Sequence, residues 1–178
     1  PELTVGLPRH LTAATDIDAF VHNLEAFCSP FYHPMAQGVA LEGMKLVHDN
    51  LPQACADGSD IVARSNMLAA SIMGATAFQK GLGGVHALSH PIGAVFDTHH
   101  GLANAIMLPY VLVRNQAAIE QRLSDAARYI GLQDASFKGF LDWILRLRAD
   151  LNIPHSLAVI GIDESRAEEI GAAAKQDP

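Results

Sequence analysis

The 178-residue sequence contains little cysteine, few aromatic side chains and little positive charge. Its two cysteines, Cys28 and Cys55, form no CxxC pair, so we expect no disulfide framework, and a reducing cytoplasm is the default compartment. Twelve Lys and Arg stand against 19 Asp and Glu, giving a formal net charge of −7. Nucleic-acid and anionic-membrane surfaces require clustered basic side chains, so neither partner is expected. These absences favour small-molecule chemistry.

Long apolar runs are also missing. No run approaches the roughly 20 residues needed to cross a bilayer, and the polar start at Pro1 does not resemble a secretory signal. Apolar residues nevertheless make up 49% of the chain, which argues against disorder. We therefore expect a soluble chain with one domain, residues 1–178, and a sizeable core.

Apolar periodicity indicates an all-α domain of about seven or eight helices. The expected helical segments cover about residues 15–28, 34–47, 61–80, 86–90, 100–111, 118–130, 136–151 and 164–175. Residues 3–7 are the one candidate for an extended strand. The small residues of Met67–Ala77 predict a central, almost fully buried helix.

Local signals place the ends of several helices. Thr15 is expected to cap the first helix, with Asp18 completing a capping-box-like pair. Pro91 is expected to kink or end the helix that contains His90, and Thr98 to cap the next helix, near His100.

Histidine spacing predicts a metal site. Four of the nine histidines lie within fifteen residues, in GVHALSHPIGAVFDTHHG. His86 and His90 are four residues apart, as are Asp18 and His22, so each pair shares one face of a helix. One carboxylate and several imidazoles suit Fe(II), Zn(II), Mn(II) or Co(II). Spacing alone pairs His86 with His90 as ligands, although buried histidines can also be structural and Asp18 can be a helix cap.

The segment Gly84–Asn115, GVHALSHPIGAVFDTHHGLANAIMLPYVLVRN, resembles the signature of the iron-containing (group III) alcohol dehydrogenases. LTAATDIDAFVH, ending at His22, is similar to that family's other metal-binding helix. The resemblance implies a helical bundle of the dehydroquinate synthase-like or iron-containing alcohol dehydrogenase type. It also implies site roles, which are metal ligation by Asp18, His22, His86 and His100, and a catalytic, nicotinamide-facing role for His90.

The same resemblance implies an oxidoreductase that transfers hydride between an alcohol or aldehyde and NAD or NADP. Fe(II) is the expected metal and Zn(II) the alternative, and a homo-oligomer, in particular a dimer, is expected. In that family a nucleotide-binding α/β domain precedes the helical part. The chain is therefore expected to be a fragment that is inactive alone.

Two other functions fit the residues. A helical metallohydrolase would use the same ligands and a carboxylate base, for which Glu25, Glu42 and Asp97 are candidates. A non-catalytic helical domain would use its histidines structurally and bind no metal.

Overall fold

A computed structural model describes residues 1–177, and within that range the chain is all-α, as predicted. The seven helices are α1 (Arg9–Cys28), α2 (Pro34–Ala56), α3 (Ile61–Ala77), α4 (Gly84–Phe96), α5 (His100–Ile130), α6 (Phe137–Asp150) and α7 (Ala167–Ala174). Short 3₁₀ turns occupy Glu2–Thr4, Phe78–Lys80, Leu157–Ile160 and Glu164–Arg166. The candidate strand over residues 3–7 does not form, because Leu3 and Thr4 belong to the first of these turns.

The centre of the bundle is α1, which contacts α2, α3 and α5. Its buried residues point in every direction, and Phe20, Val21 and Ala26 are completely inaccessible to solvent. The prediction that Met67–Ala77 forms the buried central helix is wrong. Only one stripe of α3 is buried, while Ile72 on the opposite face is 67% exposed. Small residues do allow α3 to approach α1 closely, but they bury one face rather than all of them.

Thr15 does not cap α1, which begins six residues earlier, at Arg9, after Pro8. The Thr15 hydroxyl instead donates to the Leu11 carbonyl, with Oγ1 and O 2.9 Å apart. A hydroxyl that bonds back to its own helix occupies a helix interior. The capping-box interpretation of Asp18 is therefore also wrong, and the Asp18 side chain is free for another role.

Proline does not end α4, because the helix continues through Pro91 to Phe96. The residue that follows the helix, Asp97, has a left-handed φ of 51°. The next helix is capped by His99 rather than Thr98, since the His99 ring accepts from Leu102 N at 3.4 Å. This helix, α5, runs for 31 residues, so the segments expected at 100–111 and 118–130 are one helix.

Lys80 fixes the connection between α3 and α4 to the C-terminus of α1. Its ammonium group is buried and donates to the carbonyls of Ala26, Phe27 and Ser29 at 2.9, 3.2 and 2.6 Å. These carbonyls have no partner within the last turn of α1. The Lys80 side chain therefore holds the turn that precedes α4 against the end of α1.

Residues Ile61–Lys80 have the length and mean hydropathy, 1.2, of a candidate membrane span. The expectation that no segment reaches such values is therefore corrected. Only 33% of the scored window is buried. In the structure the segment comprises α3 and the following 3₁₀ turn, and it packs against α1 and α2.

Candidate metal centre

Three helices bring the predicted site residues together. Asp18 and His22 lie one turn apart on α1, His86 and His90 lie one turn apart on α4, and His100 is the first residue of α5. The charged or polar ends of these side chains meet where α1, α4 and the start of α5 converge.

Glycine at position 101 allows α5 to begin against α1. A Cβ atom at Gly101 would collide with the carbonyl oxygen of Ala14, lie 2.8 Å from its carbonyl carbon, and lie 3.2 Å from the Cβ of Asp18. Only a residue without a side chain permits this approach. The approach places His100 beside Asp18.

Asp18, His86 and His100 form the core of the cluster. The Oδ1 atom of Asp18 lies 3.6 Å from His86 Nε2 and 3.5 Å from His100 Nε2, and all three ligand atoms lie within 4.8 Å of one another. Metal–ligand bonds of about 2.1 Å in a tetrahedral site separate neighbouring ligand atoms by about 3.4 Å. The observed separations therefore fit one divalent ion.

His22 and His90 lie next to this trio. The ring of His22 stacks on that of His86, with centroids 4.6 Å apart and planes 10° apart. His90 stacks on His100 at 5.4 Å and points Nδ1 at the carboxylate of Asp177, 2.7 Å away. The trio thus contains His100 rather than His90, which is the ligand choice implied by the family resemblance and not by the i, i+4 spacing.

Asn104 is a site residue that the sequence analysis missed. It lies one turn after His100 and is fully buried, and its Nδ2 is 2.5 Å from Asp18 Oδ1, 3.1 Å from His100 Nε2 and 3.2 Å from His86 Nε2. Its Oδ1 is buried without a hydrogen-bond partner in residues 1–177. The i, i+4 spacing from His100 is the signal that could have identified it.

The other carboxylates considered as hydrolytic bases are engaged elsewhere. Glu25 is buried and accepts from His86 Nδ1 at 2.7 Å, on the side of the ring away from Asp18. Glu42 accepts from the hydroxyl of Tyr129 at 2.8 Å, and Asp97 is exposed in the turn after α4. None of the three faces the space between the ligand atoms.

The electrostatics of the cluster favour a positive charge at His86. Burial opposes protonation of this ring, but hydrogen bonds to Asp18 and Glu25 raise the pKa of His86 to about 9. A proton or a divalent ion at Nε2 would face the Asp18 carboxylate, while Glu25 accepts from Nδ1. Burial would raise the pKa of Asp18, yet contacts with His86, His22 and Asn104 hold it below its usual range, so Asp18 is anionic.

Two other imidazoles of the cluster, those of His22 and His100, are held neutral. Burial lowers the pKa of His22 and of His100, and neighbouring His86 lowers both further. Neutral imidazole is the form that binds metals. The donor set is one anionic carboxylate, two neutral imidazoles and His86, whose Nε2 must lose its proton before it can bind a metal. Carboxylate and imidazole donors of this kind fit a borderline divalent metal.

The fold and the cluster define an all-helical domain with a candidate carboxylate–imidazole metal site shared by three helices. The sequence model for the Fe-containing alcohol dehydrogenase family, C-terminal part, matches residues 12–178. The chain belongs to this family, and the resemblance noted in the sequence is confirmed.

Curated relatives include 4-hydroxybutyrate dehydrogenase of Cupriavidus necator, which is 39% identical over 186 residues. That match covers 99% of this chain and 48% of the relative. The 1,3-propanediol dehydrogenase of Citrobacter freundii is 38% identical over 173 residues, covering 93% of this chain and 44% of the relative. The chain thus spans about half the length of the curated relatives it matches.

Solved structures show the same fold. A 1,3-propanediol oxidoreductase superposes with a TM-score of 0.95 at 36% identity, covering 99% of this chain and 48% of that one. An alcohol dehydrogenase from Oenococcus oeni gives a TM-score of 0.92 at 31% identity, covering 97% and 47% of the two chains.

Proposed function

We propose that this chain is the metal- and substrate-binding half of an NAD(P)-dependent alcohol dehydrogenase. Asp18, His22, His86 and His100 are proposed to hold one divalent ion. The observation that carries the proposal is the convergence of Asp18, His86 and His100 from three different helices at ligand distances. Family membership and the dehydrogenase names of the relatives support it.

Each protein group has a separate task in this proposal. A bound divalent metal would supply Lewis acidity toward an alcohol or carbonyl oxygen. His86 is buried and oriented by Glu25, so its Nε2 faces the ligand space. His90 lies at the solvent side of the cluster, 45% exposed, with Nδ1 against Asp177. From that position it would pass the alcohol proton to solvent and contact the nicotinamide, whose hydride chemistry belongs to the cofactor.

The full enzyme would contain a second part. The curated relatives are about twice as long as this chain, and one of them is named an NAD-dependent methanol dehydrogenase. We propose a nucleotide-binding α/β domain in the same polypeptide, with NAD or NADP bound mainly there and residues 1–178 inactive alone. Fe(II) is the proposed metal and Zn(II) the alternative. The substrate is an alcohol or aldehyde, and a cytoplasmic homodimer is the proposed state.

Metal binding is the first test of this proposal. A ligand that binds only the folded chain at 100 times its Kd stabilises it by about 2.7 kcal/mol. For a domain of this size that corresponds to a rise of about 5–11 °C in the melting temperature. We expect one equivalent of Co(II) to bind, and the melting temperature to fall when a chelator is added. Coincident melts with and without chelator would support a structural role for the histidines instead.

A further inference from the structure

Glu25 is a buried carboxylate whose two oxygens serve one short segment of the chain. Its side chain lies on α1 and is only 7% exposed. Its Oε1 accepts from Val85 N at 2.7 Å, and its Oε2 accepts from Gly83 N at 3.1 Å and His86 N at 3.4 Å. The fourth donor is the ring Nδ1 of His86, at 2.7 Å from Oε2.

Backbone amides take the place of a basic partner for this carboxylate. No Lys or Arg forms an ion pair with Glu25 in the part of the chain that the structure describes. The three amides belong to the N-terminus of α4, where unpaired N–H groups and the helix dipole favour negative charge. The N-cap residue of α4, Gly83, has no side chain that could accept from these amides. Glu25 therefore acts as the cap of α4 from a different helix.

Close approach between Glu25 and α4 depends on glycine at position 83. A Cβ atom there would lie 2.8 Å from Glu25 Oε1. The carboxylate would then have to leave the amides that it now accepts from. Gly83 thus makes room for an internal carboxylate at the start of α4.

The same carboxylate decides which ring nitrogen of His86 faces the cluster. A carboxylate accepts hydrogen bonds, so Nδ1 must carry a proton to donate to it. Nε2 then faces Asp18 and Asn104, from the other edge of the ring. Metal-binding histidines commonly donate their second ring N–H to a carboxylate, which fixes the tautomer and the ring orientation.

We propose that Glu25 is a positioning residue for the metal site. It holds His86 with Nδ1 protonated and Nε2 directed at Asp18. It also fixes the start of α4, the helix that carries both His86 and His90. The part concerning metal affinity rests on the proposed function. The part concerning the orientation of His86 does not.

Two measurements on the chain separate these parts. Proton–nitrogen NMR with chelator present should show a slowly exchanging Nδ1 proton on His86, which disappears in Glu25→Ala. Co(II) titration followed by visible absorption should show a Kd about 10–100-fold higher in Glu25→Ala than in the wild type. Val47→Ala is the matched control, because Val47 is a fully buried core residue on α2 and α2 contributes no ligand. It should lower the melting temperature yet keep the Kd within about threefold of the wild type.

Each outcome bears on the proposal in one direction. A wild-type chain without a protected Nδ1 proton on His86 would overturn it, even if Glu25→Ala fails to fold. A Kd in Glu25→Ala equal to that of Val47→Ala would also overturn it. Absence of Co(II) binding in the wild type would refute the proposed function, while the ring-proton signal would still decide the role of Glu25.

Discussion

A single added methyl group at Gly101 tests how closely α1 and α5 must approach to form the site. In Gly101→Ala the new Cβ would collide with the Ala14 carbonyl oxygen and lie 3.2 Å from the Cβ of Asp18. The first obstacle is backbone, which cannot rotate away as a side chain can, so α5 must move outward from α1. Because His100 precedes Gly101 directly, its Nε2 would move away from Asp18 Oδ1, now 3.5 Å distant.

The expected cost follows from two opposing terms. Overpacking of this kind costs about 1–3 kcal/mol. Replacing a helical glycine by alanine returns about 0.5–1 kcal/mol. A net loss of about 1–2 kcal/mol would lower the melting temperature of a domain of this size by about 2–8 °C. Co(II) affinity should fall as well, because two proposed ligands are moved apart.

The control for this prediction is Gly38→Ala on α2. Gly38 is exposed, and a Cβ there would meet nothing within 4 Å, so only the helix-propensity gain remains. Circular dichroism melts and Co(II) titrations of both variants give the comparison. We expect opposite signs, with Gly38→Ala melting at or above the wild type and binding Co(II) normally. A Gly101→Ala chain that melts as high as Gly38→Ala and keeps its affinity would refute the close-approach argument.

Further predictions concern the ligands and one half-buried acid, Asp16. His100→Ala and His86→Ala should each empty the site, whereas His90→Ala should retain metal and lose turnover in a full-length enzyme. Elemental analysis measures the metal content of the three variants. A site that is empty in His90→Ala and full in His100→Ala would contradict the ligand set. Burial raises the pKa of Asp16 to about 7, which is above its value in the unfolded chain, against the opposing effect of Arg64. The free energy of unfolding should therefore fall as the pH rises from about 4 to 7. Asp16→Asn should remove this loss of stability, which is up to about 4 kcal/mol above pH 7 and small near pH 4. Urea unfolding of the variant and the wild type at both pH values measures it, and equal stabilities of the two chains at pH 8 would contradict the prediction.

The sequence predicted the fold class and the clustering of the site residues better than it predicted the ends of the helices. Apolar periodicity and i, i+4 pairs are local, and they survive in α1 and α4 as expected. Thr15 and Pro91 misled because each residue has two common uses. Threonine caps helices but also bonds back within them, as Thr15 does with Leu11, and the packed α4 tolerates a proline inside it.

Contacts between distant segments could not be read from spacing. The proximity of His100 to Asp18 and His86 depends on how α5 meets α1, which spacing within α4 does not encode. The role of Glu25 as a partner of His86 and α4 could not be predicted from spacing, because its hydrogen-bond donors lie about 60 residues later in the chain. Asn104 was missed for a similar reason, since its role depends on Asp18 from another helix.

The buried ammonium group of Lys80 also has a consequence for chemical reactivity. The chain has four lysines, and Lys45, Lys138 and Lys175 reach solvent while Lys80 is 4% exposed and bonded to three carbonyls. An acylating reagent reacts only with an unprotonated amine whose lone pair is accessible. The folded chain therefore presents three reactive lysines and protects the fourth. Burial also lowers the pKa of Lys80, and release into solvent returns that pKa to its ordinary value. Because release requires the turn Phe78–Lys80 to separate from the end of α1, the acylation rate at this one amine reports how often that junction opens.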